Sequence, residues 1–287
     1  MTIGSGPTNS MRGAAFLTGV QDAIVMDVGG TTCDIGVLAN GFPRESSIAV
    51  DIGGVRTNFR MPDILAIGLG GGTRIHLDPG LYQAGEPAEA DLRIGPDSVG
   101  YRITTDACLF GGGTLTTSDI AVAAGKADFG DASRIPALSP ATLGAVWTRI
   151  QSMLADGIDR MKTTRGDATI IAVGGGHFLV ADDLKGAARV IRPPHADVAN
   201  AVGAAIAQIG AQVEQIVDYA ASPRETALAR LKADATARVT AAGGDPDTIE
   251  IVDMEEVFLS YLPGRSAQVR MKAVGDLAAL GEVAHAH

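Results

Sequence analysis

Short apolar runs alternate along the chain with glycine-rich polar turns, and a few longer stretches carry apolar residues at helical spacing. Residues 23–26 and 35–38 are apolar runs of strand length on either side of Gly29-Gly30-Thr31-Thr32. That pattern predicts two strands joined by a glycine turn. Before them, Gly4-Ser5-Gly6-Pro7-Thr8-Asn9-Ser10 reads as a turn-rich entry and residues 11–17 as a short helix. Such an opening has the look of the middle of a longer chain. After them, residues 45–50 alternate partially, predicting a third strand, and residues 51–60 read as a glycine-broken loop. Residues 63–67 form another apolar strand, running into Gly68-Leu69-Gly70-Gly71-Gly72-Thr73 and a return strand over 74–77. Residues 78–100, dense in Gly and Pro, read as loop. The repeated form of strand, glycine turn and strand predicts a sheet whose turns line one cleft. A bulge or close strand packing is the competing reading of residues 68–72.

Gly111-Gly112-Gly113-Thr114 precedes a short helix over 120–124, with Thr117, Ser118 or Asp119 as its cap. Ser139-Pro140 opens the clearest helix, in which Leu143, Val146, Trp147, Ile150, Met153, Leu154, Ile158 and Met161 recur on one face. A wholly apolar strand at 169–173 then meets Gly174-Gly175-Gly176-His177. A strand over 189–192, a Pro193-Pro194 break and a helix over 197–208 follow; the small residues of that helix read as close packing. Ser222-Pro223-Arg224-Glu225 has the form of a capping box. It opens a charged helix that turns Leu228, Leu231 and Ala235 inward and ends at Gly243-Gly244, before strands at 248–254, 257–262 and 267–273. The change of rhythm sets a boundary near Ala221, giving units 1–221 and 222–287.

Composition narrows the chemistry. The 287 residues are 46% hydrophobic, enough for a sizeable core. Aromatic content of 4% and a net charge of -10 argue against a nucleic-acid partner. No uncharged run is long enough to span a bilayer, so no membrane role is expected. Cys33 and Cys108 form no CxxC, and the five histidines show no ligand spacing. A reducing, cytoplasmic setting is the simpler reading. Neither a Walker-type P-loop nor a G-x-S-x-G elbow is present.

The chemistry-bearing stretch is Asp27-Val28-Gly29-Gly30-Thr31-Thr32-Cys33-Asp34. Two glycines let backbone N–H groups approach an anion, two hydroxyls add donors, and a carboxylate at each end can hold a cation directly or through water. A Gly-Gly hairpin with solvated flanks is the competing reading.

This stretch resembles the second phosphate motif of the actin, sugar-kinase and heat-shock-chaperone ATPase superfamily. Val173-Gly174-Gly175-Gly176-His177 and the helix around 200–205 resemble its adenosine motif and connecting helix. More narrowly, residues 5–14, 53–62, 68–73, 94–101, 259–264 and 269–277 resemble the hydantoinase A / 5-oxoprolinase family. The resemblance implies an α/β, ribonuclease H-like (actin-type) lobe with a mixed sheet and flanking helices, followed by a small α+β extension. It also implies an ATP- and Mg2+-dependent amidohydrolase that opens a small cyclic amide after phosphorylating its carbonyl oxygen. By resemblance Gly29, Gly30, Thr31 and Thr32 cradle the phosphates, and Asp27 and Asp34 orient the metal or water. Gly174, Gly175 and Gly176 pack on the adenosine, and Gly70, Gly71 and Gly72 line the same cleft. His177 stands where the family commonly has a small hydroxyl residue. Only one Asp-x-Gly-x-Thr loop is present, so a facing N-terminal lobe, in the same longer chain or a separate subunit, is an expected partner, as is a hydantoinase B-like subunit. Without that lobe the chain is expected to be inactive. A subunit of an ATP-dependent ketone carboxylase, or a non-catalytic nucleotide-responsive assembly module, stands as the alternative.

Overall fold

The structure, a computed structural model, describes residues 5–46, 51–52, 55–56, 62–206, 208–259 and 264–278. It divides into two compact units, Met1–Ala205 and Ile206–His287.

The first unit opens with helix α1 (Ser5–Thr18), then strands β1 (Ala23–Val28), β2 (Cys33–Ala39) and β3 (Phe42–Pro43). The short pair β4 (Asp51–Ile52) and β5 (Val55–Arg56) is followed by β6 (Ile64–Ile67), β7 (Thr73–His76) and β8 (Arg93–Ser98). Helices α2 (Ile103–Asp106), α3 (Thr117–Ala123) and α4 (Pro140–Met161) come next, then β9 (Ala168–Val173), β10 (Ala187–Ile191) and α5 (Ala199–Ala205). The central sheet runs β10-β9-β1-β2-β3, and β6 also pairs with β2. β9 is parallel to both of its neighbours, β1 and β10, while β2 is antiparallel to β1, β3 and β6, so the sheet is mixed. This is the expected α/β lobe with a mixed sheet and flanking helices.

Alternation along β1 assigns its two faces. Ile24, Met26 and Val28 join a core with Val146, Ile150, Leu154 and Ile158 of α4. Ala23 and Val25 join another with Met11, Ala14 and Ala15 of α1 and Ala199 of α5. α4 starts as its sequence predicts, with Ser139 Oγ accepting from Thr142 N at 3.0 Å and Pro140 in the first turn.

Several elements depart from the sequence reading. α1 begins at Ser5 rather than near Met11, because Pro7 sits in the first turn, where its missing N–H has no helical partner to lose. The strand expected over 45–50 falls partly outside the described residues, as does much of the loop over 51–60; Glu45 forms a bridge to Pro62. β8 lies within the stretch read as loop, since pairing with β7 overrides the local signal of Gly95-Pro96. The cap of α3 is Thr116, not one of the three residues after it; Asp119 reaches back to Thr116 N at 2.7 Å and completes a capping box. The helix expected over 197–208 is α5 alone, preceded by a 3-10 turn at Ala196–Val198. Its small residues serve a helix contact. A Cβ on Gly13 of α1 would lie 1.9 Å from Ala199 O, and one on Gly203 would lie 1.8 Å from Asn9 O.

The second unit contains β11 (Ile209–Asp218), α6 (Arg224–Ala241), β12 (Glu250–Phe258) and β13 (Ser266–Gly275), with sheet order β11-β13-β12. Ala227, Leu231, Ala235 and Val239 of α6 pack on Val269, Met271 and Ala273 of β13. The division at Ala205/Ile206 precedes the boundary read near Ala221 because β11, missed in the sequence, pairs along its whole length with β13. No capping box forms at Ser222: Pro223 is the N-cap, with no side-chain cap bond, and Ser222 N is engaged by Asp218 O at 3.1 Å. Residues 260–262 lie outside the described residues; the strand expected at 248–254 and the start of the one expected at 257–262 are a single strand, β12. Its polar middle is held by cross-strand and helix partners, with Glu255 paired to Arg270 and Glu256 to Arg224.

Candidate functional site

β1, β6 and β9 point the same way, so the turns leaving their C-terminal ends emerge at one end of the sheet. These are residues 29–32, 68–72 and 174–177, three of the glycine turns of the sequence. The Val28–Cys33 pair closes the first, and Gly29 N donates to Thr32 O at 2.9 Å across it. Gly30, Thr31 and Thr32 are exposed. Among the described residues no hydrogen bond engages the amides of those three residues or the two threonine hydroxyls.

Asp27 and Asp34 are direct partners across β1 and β2, so their side chains share one face of the sheet. It is the face of Val25 and of α1. Both are half-buried, and neither carboxylate has a hydrogen bond or ion pair among the described residues. Burial pushes the Asp34 carboxyl above its ordinary value, and the neighbouring Asp27 charge pushes it in the same direction. The Cys33 thiol, fully buried in the opposite face, is raised strongly, first by burial and then by the charges of Asp34 and Asp27. A pair of carboxylates with open acceptor sites, beside exposed amides, is a donor set that suits a hydrated divalent cation carrying an anionic ligand. No group of three or more His, Cys, Asp or Glu side chains with metal-binding geometry exists among the described residues. A closed, all-protein metal site is therefore not formed by them.

The other two turns are placed differently from each other. Gly174, with φ of 84°, lies directly against the first turn, where a Cβ would meet Asp27 Oδ1 at 2.4 Å and Val28 O at 2.5 Å. Gly176 N donates to Val28 O at 2.7 Å. Gly175 is exposed, with open space where a Cβ would stand. His177 Nδ1 lies 2.9 Å from Gly174 O, and because a carbonyl only accepts, that nitrogen carries the proton. The ring thus closes its own turn.

Gly70, Gly71 and Gly72 are buried behind the first turn. Gly71 N donates to Gly29 O at 2.9 Å and Gly72 N to Gly30 O at 2.7 Å, while Gly70 N donates to Thr73 Oγ1 at 2.7 Å. All three amides are engaged inside the protein. Through these bonds residues 70–72 brace the first turn from behind. Sequence reasoning missed the residues that complete this brace. Ser98 Oγ donates to Gly30 O at 3.1 Å, Thr117 Oγ1 to Gly70 O at 2.5 Å, and Ser118 Oγ to Gly71 O at 2.8 Å. The available signal was the run over 94–101; Thr117 and Ser118 were absorbed by the capping argument.

Fold and turn geometry together define a mixed-sheet α/β lobe that gathers three glycine turns at one end of the sheet. Residues 1–131 match the family model described as hydantoinase/oxoprolinase. A curated relative, the acetone carboxylase beta subunit of Xanthobacter autotrophicus, is 32% identical over 123 residues, which are 41% of this chain and 16% of that one. Among solved structures, an ATP-dependent caprolactamase from Pseudomonas jessenii matches with a TM-score of 0.64 and 18% identity. Nucleotide-free acetone carboxylase, from work on ATP-dependent acetone carboxylation, matches with a TM-score of 0.57 and 16% identity. Each covers 95% of this chain, whereas the chain spans 49% of each solved relative. These likenesses show a shared fold. No helix among the described residues is long and apolar enough to cross a membrane.

Proposed function

We propose that the β1–β2 turn is the phosphate loop of one lobe in an ATP-dependent enzyme of hydantoinase type. The observation that carries this reading is the combination, among the described residues, of exposed, unengaged amides and hydroxyls at Gly30, Thr31 and Thr32 with two unpaired carboxylates at the same turn. Gly29, Gly30, Thr31 and Thr32 form the cradle for the phosphate chain. Asp27 and Asp34 are the candidate holders of Mg2+, directly or through water; the ion, when bound, supplies charge neutralisation of the phosphates. Gly174, Gly175 and Gly176 offer a side-chain-free surface against the adenosine end. Gly70, Gly71 and Gly72 support the loop from behind.

The chemistry suited to such a site is activation of a poor electrophile. Transfer of the γ-phosphoryl group to an amide carbonyl oxygen releases ADP and leaves a carbon that water attacks; collapse then breaks the C–N bond, freeing the protonated amine and leaving an acyl phosphate, which a second water hydrolyses to carboxylate and phosphate. Positioning and electrostatics carry that reaction, with no protein nucleophile required. The ligand side of the turn is open to solvent. A facing lobe, from a longer chain or another subunit, completes the site, and this lobe alone is inactive. The substrate class we favour is a small cyclic amide. The acetone carboxylase relative supports a second reading, subunit of a ketone carboxylase, in which the phosphorylated partner is carboxylated instead of hydrolysed.

Calorimetric titration with MgATP tests the loop assignment: measurable binding that is lost in Asp27→Asn and Thr31→Ala supports it, and wild-type-like binding in both variants refutes it. Together with a facing lobe, ATP turnover stimulated by caprolactam or 5-oxoproline favours the amide reading. Stimulation only by acetone with bicarbonate favours the carboxylase reading.

A further inference from the structure

The phosphate-loop reading leaves open how a Gly-Gly turn, free to flip its peptide planes, keeps its amides aimed outward. In a planar trans peptide the C=O of one residue and the N–H of the next point in opposite directions. Anchoring a carbonyl on the protein side therefore aims the following amide toward the ligand side. Both relevant carbonyls are anchored. Gly29 O accepts from Gly71 N at 2.9 Å, which turns Gly30 N–H outward. Gly30 O accepts from Gly72 N at 2.7 Å and from Ser98 Oγ at 3.1 Å, which turns Thr31 N–H outward.

The anchors are themselves held in a second tier. Gly70 O accepts from Thr117 Oγ1 at 2.5 Å, and Gly71 O accepts from Ser118 N at 3.0 Å and Ser118 Oγ at 2.8 Å. Gly72 O accepts from Val99 N at 2.9 Å. Thr117 and Ser118 are almost wholly buried, at 0% and 1% exposure, so their hydroxyls have no water to bond instead. Ser98 Oγ also accepts from Gly100 N at 3.0 Å, which ties the next turn to the same loop.

We infer that Ser98, Thr117 and Ser118 are positioning residues that set the peptide planes of Gly29–Gly30 and Gly30–Thr31, and through them the affinity for phosphate. The inference rests on the phosphate-loop reading, because outward amides matter only if an anion meets them. A glycine pair has little intrinsic preference for one peptide orientation, so the clamp decides it. Ser98 is the informative site: it is only partly buried, and its loss leaves one of the two bonds to Gly30 O in place.

The test uses the whole chain, with MgATP and adenosine as separate probes and 1H–15N spectra of the Gly30 and Thr31 amides. Ser98→Ala is expected to weaken MgATP binding about five- to tenfold, the scale of one net hydrogen bond, with adenosine binding unchanged. Its Gly30 and Thr31 resonances move, and Ser98→Thr, which keeps the hydroxyl, restores both. Thr117→Ser retains binding while Thr117→Val loses it. Unchanged MgATP affinity and unmoved resonances in Ser98→Ala would overturn the clamp. A parallel loss of MgATP and adenosine binding would overturn it too, as a general structural effect. If wild type binds no MgATP while Ser98→Ala still moves the two resonances, the phosphate reading fails and the clamp on the turn stands.

Discussion

Gly70→Ala probes the turn from its protein side without adding an atom to the ligand side. An ideal Cβ on Gly70 would lie 2.6 Å from Thr31 N, 2.7 Å from Gly29 O and 2.7 Å from Gly30 C. Ordinary contact begins at 3.4 Å, so the shortest of these is 3.4 − 2.6 = 0.8 Å too close. All three opposing atoms are backbone, and none can rotate away. Gly70 itself is buried and its amide is bonded to Thr73, so neither side yields freely. Overpacking of this kind costs about 2–3 kcal/mol. For a unit of this size that is a fall in Tm of roughly 4–12 °C. The cheapest relief moves the β1–β2 turn outward, so MgATP affinity is expected to fall by about tenfold or more, the factor that follows from roughly 1.4 kcal/mol. Thermal unfolding by circular dichroism and calorimetric titration read the two effects. Gly144→Ala is the matched control: nothing lies within 4 Å of its ideal Cβ, it sits inside α4, and the change is expected to stabilise by about 0.5–1 kcal/mol. A Gly70→Ala protein that melts and binds MgATP as wild type does would refute the bracing geometry.

Three further outcomes follow from the same residues. Asp34→Asn is expected to raise thermal stability near pH 7 while abolishing Mg2+-dependent ATP binding, because the half-buried carboxylate beside Asp27 is unfavourable when no cation is present. The sign follows from its raised value: the folded state binds the proton more tightly, so stability falls as pH rises from about 4 through the raised value, and the variant's advantage vanishes in acid. Half exposure and solvent screening keep that advantage to about 1 kcal/mol or less, and melting curves across pH 3–8 that overlay wild type would refute it. Cys33 is expected to resist iodoacetamide in the folded protein and react on denaturation, since its thiol is buried and its ionisation suppressed; rapid native labelling read by mass spectrometry contradicts this. Gly203→Ala is expected to destabilise the first unit by about 3 kcal/mol or more, because its Cβ would sit 1.8 Å from Asn9 O in the α1–α5 contact; a Tm within about 1 °C of wild type contradicts it.

Local chemistry carried much of this architecture in plain view. The apolar run of β1, the helical spacing and Ser139-Pro140 start of α4, and the glycine turn between two acids all rest on residues close together in sequence. Their periods and caps operate within a few residues, so sequence alone determined them. Pairing across distance was decided only in three dimensions. β8 and β11 form because partners far along the chain supply their hydrogen bonds, against local signals of Gly-Pro and mixed polarity. Register made Asp27 and Asp34 direct neighbours on one face, which spacing through a turn of unknown geometry does not establish. The three glycine turns look alike in sequence, yet their roles diverge. Among the described residues, 30–32 keep free amides at the surface, while Gly71 and Gly72 give theirs to the carbonyls of that same turn and Gly70 gives its own to Thr73 Oγ1. An amide's partner is a matter of tertiary contact, and that contact separates a turn able to meet a ligand from the turn that holds it in shape.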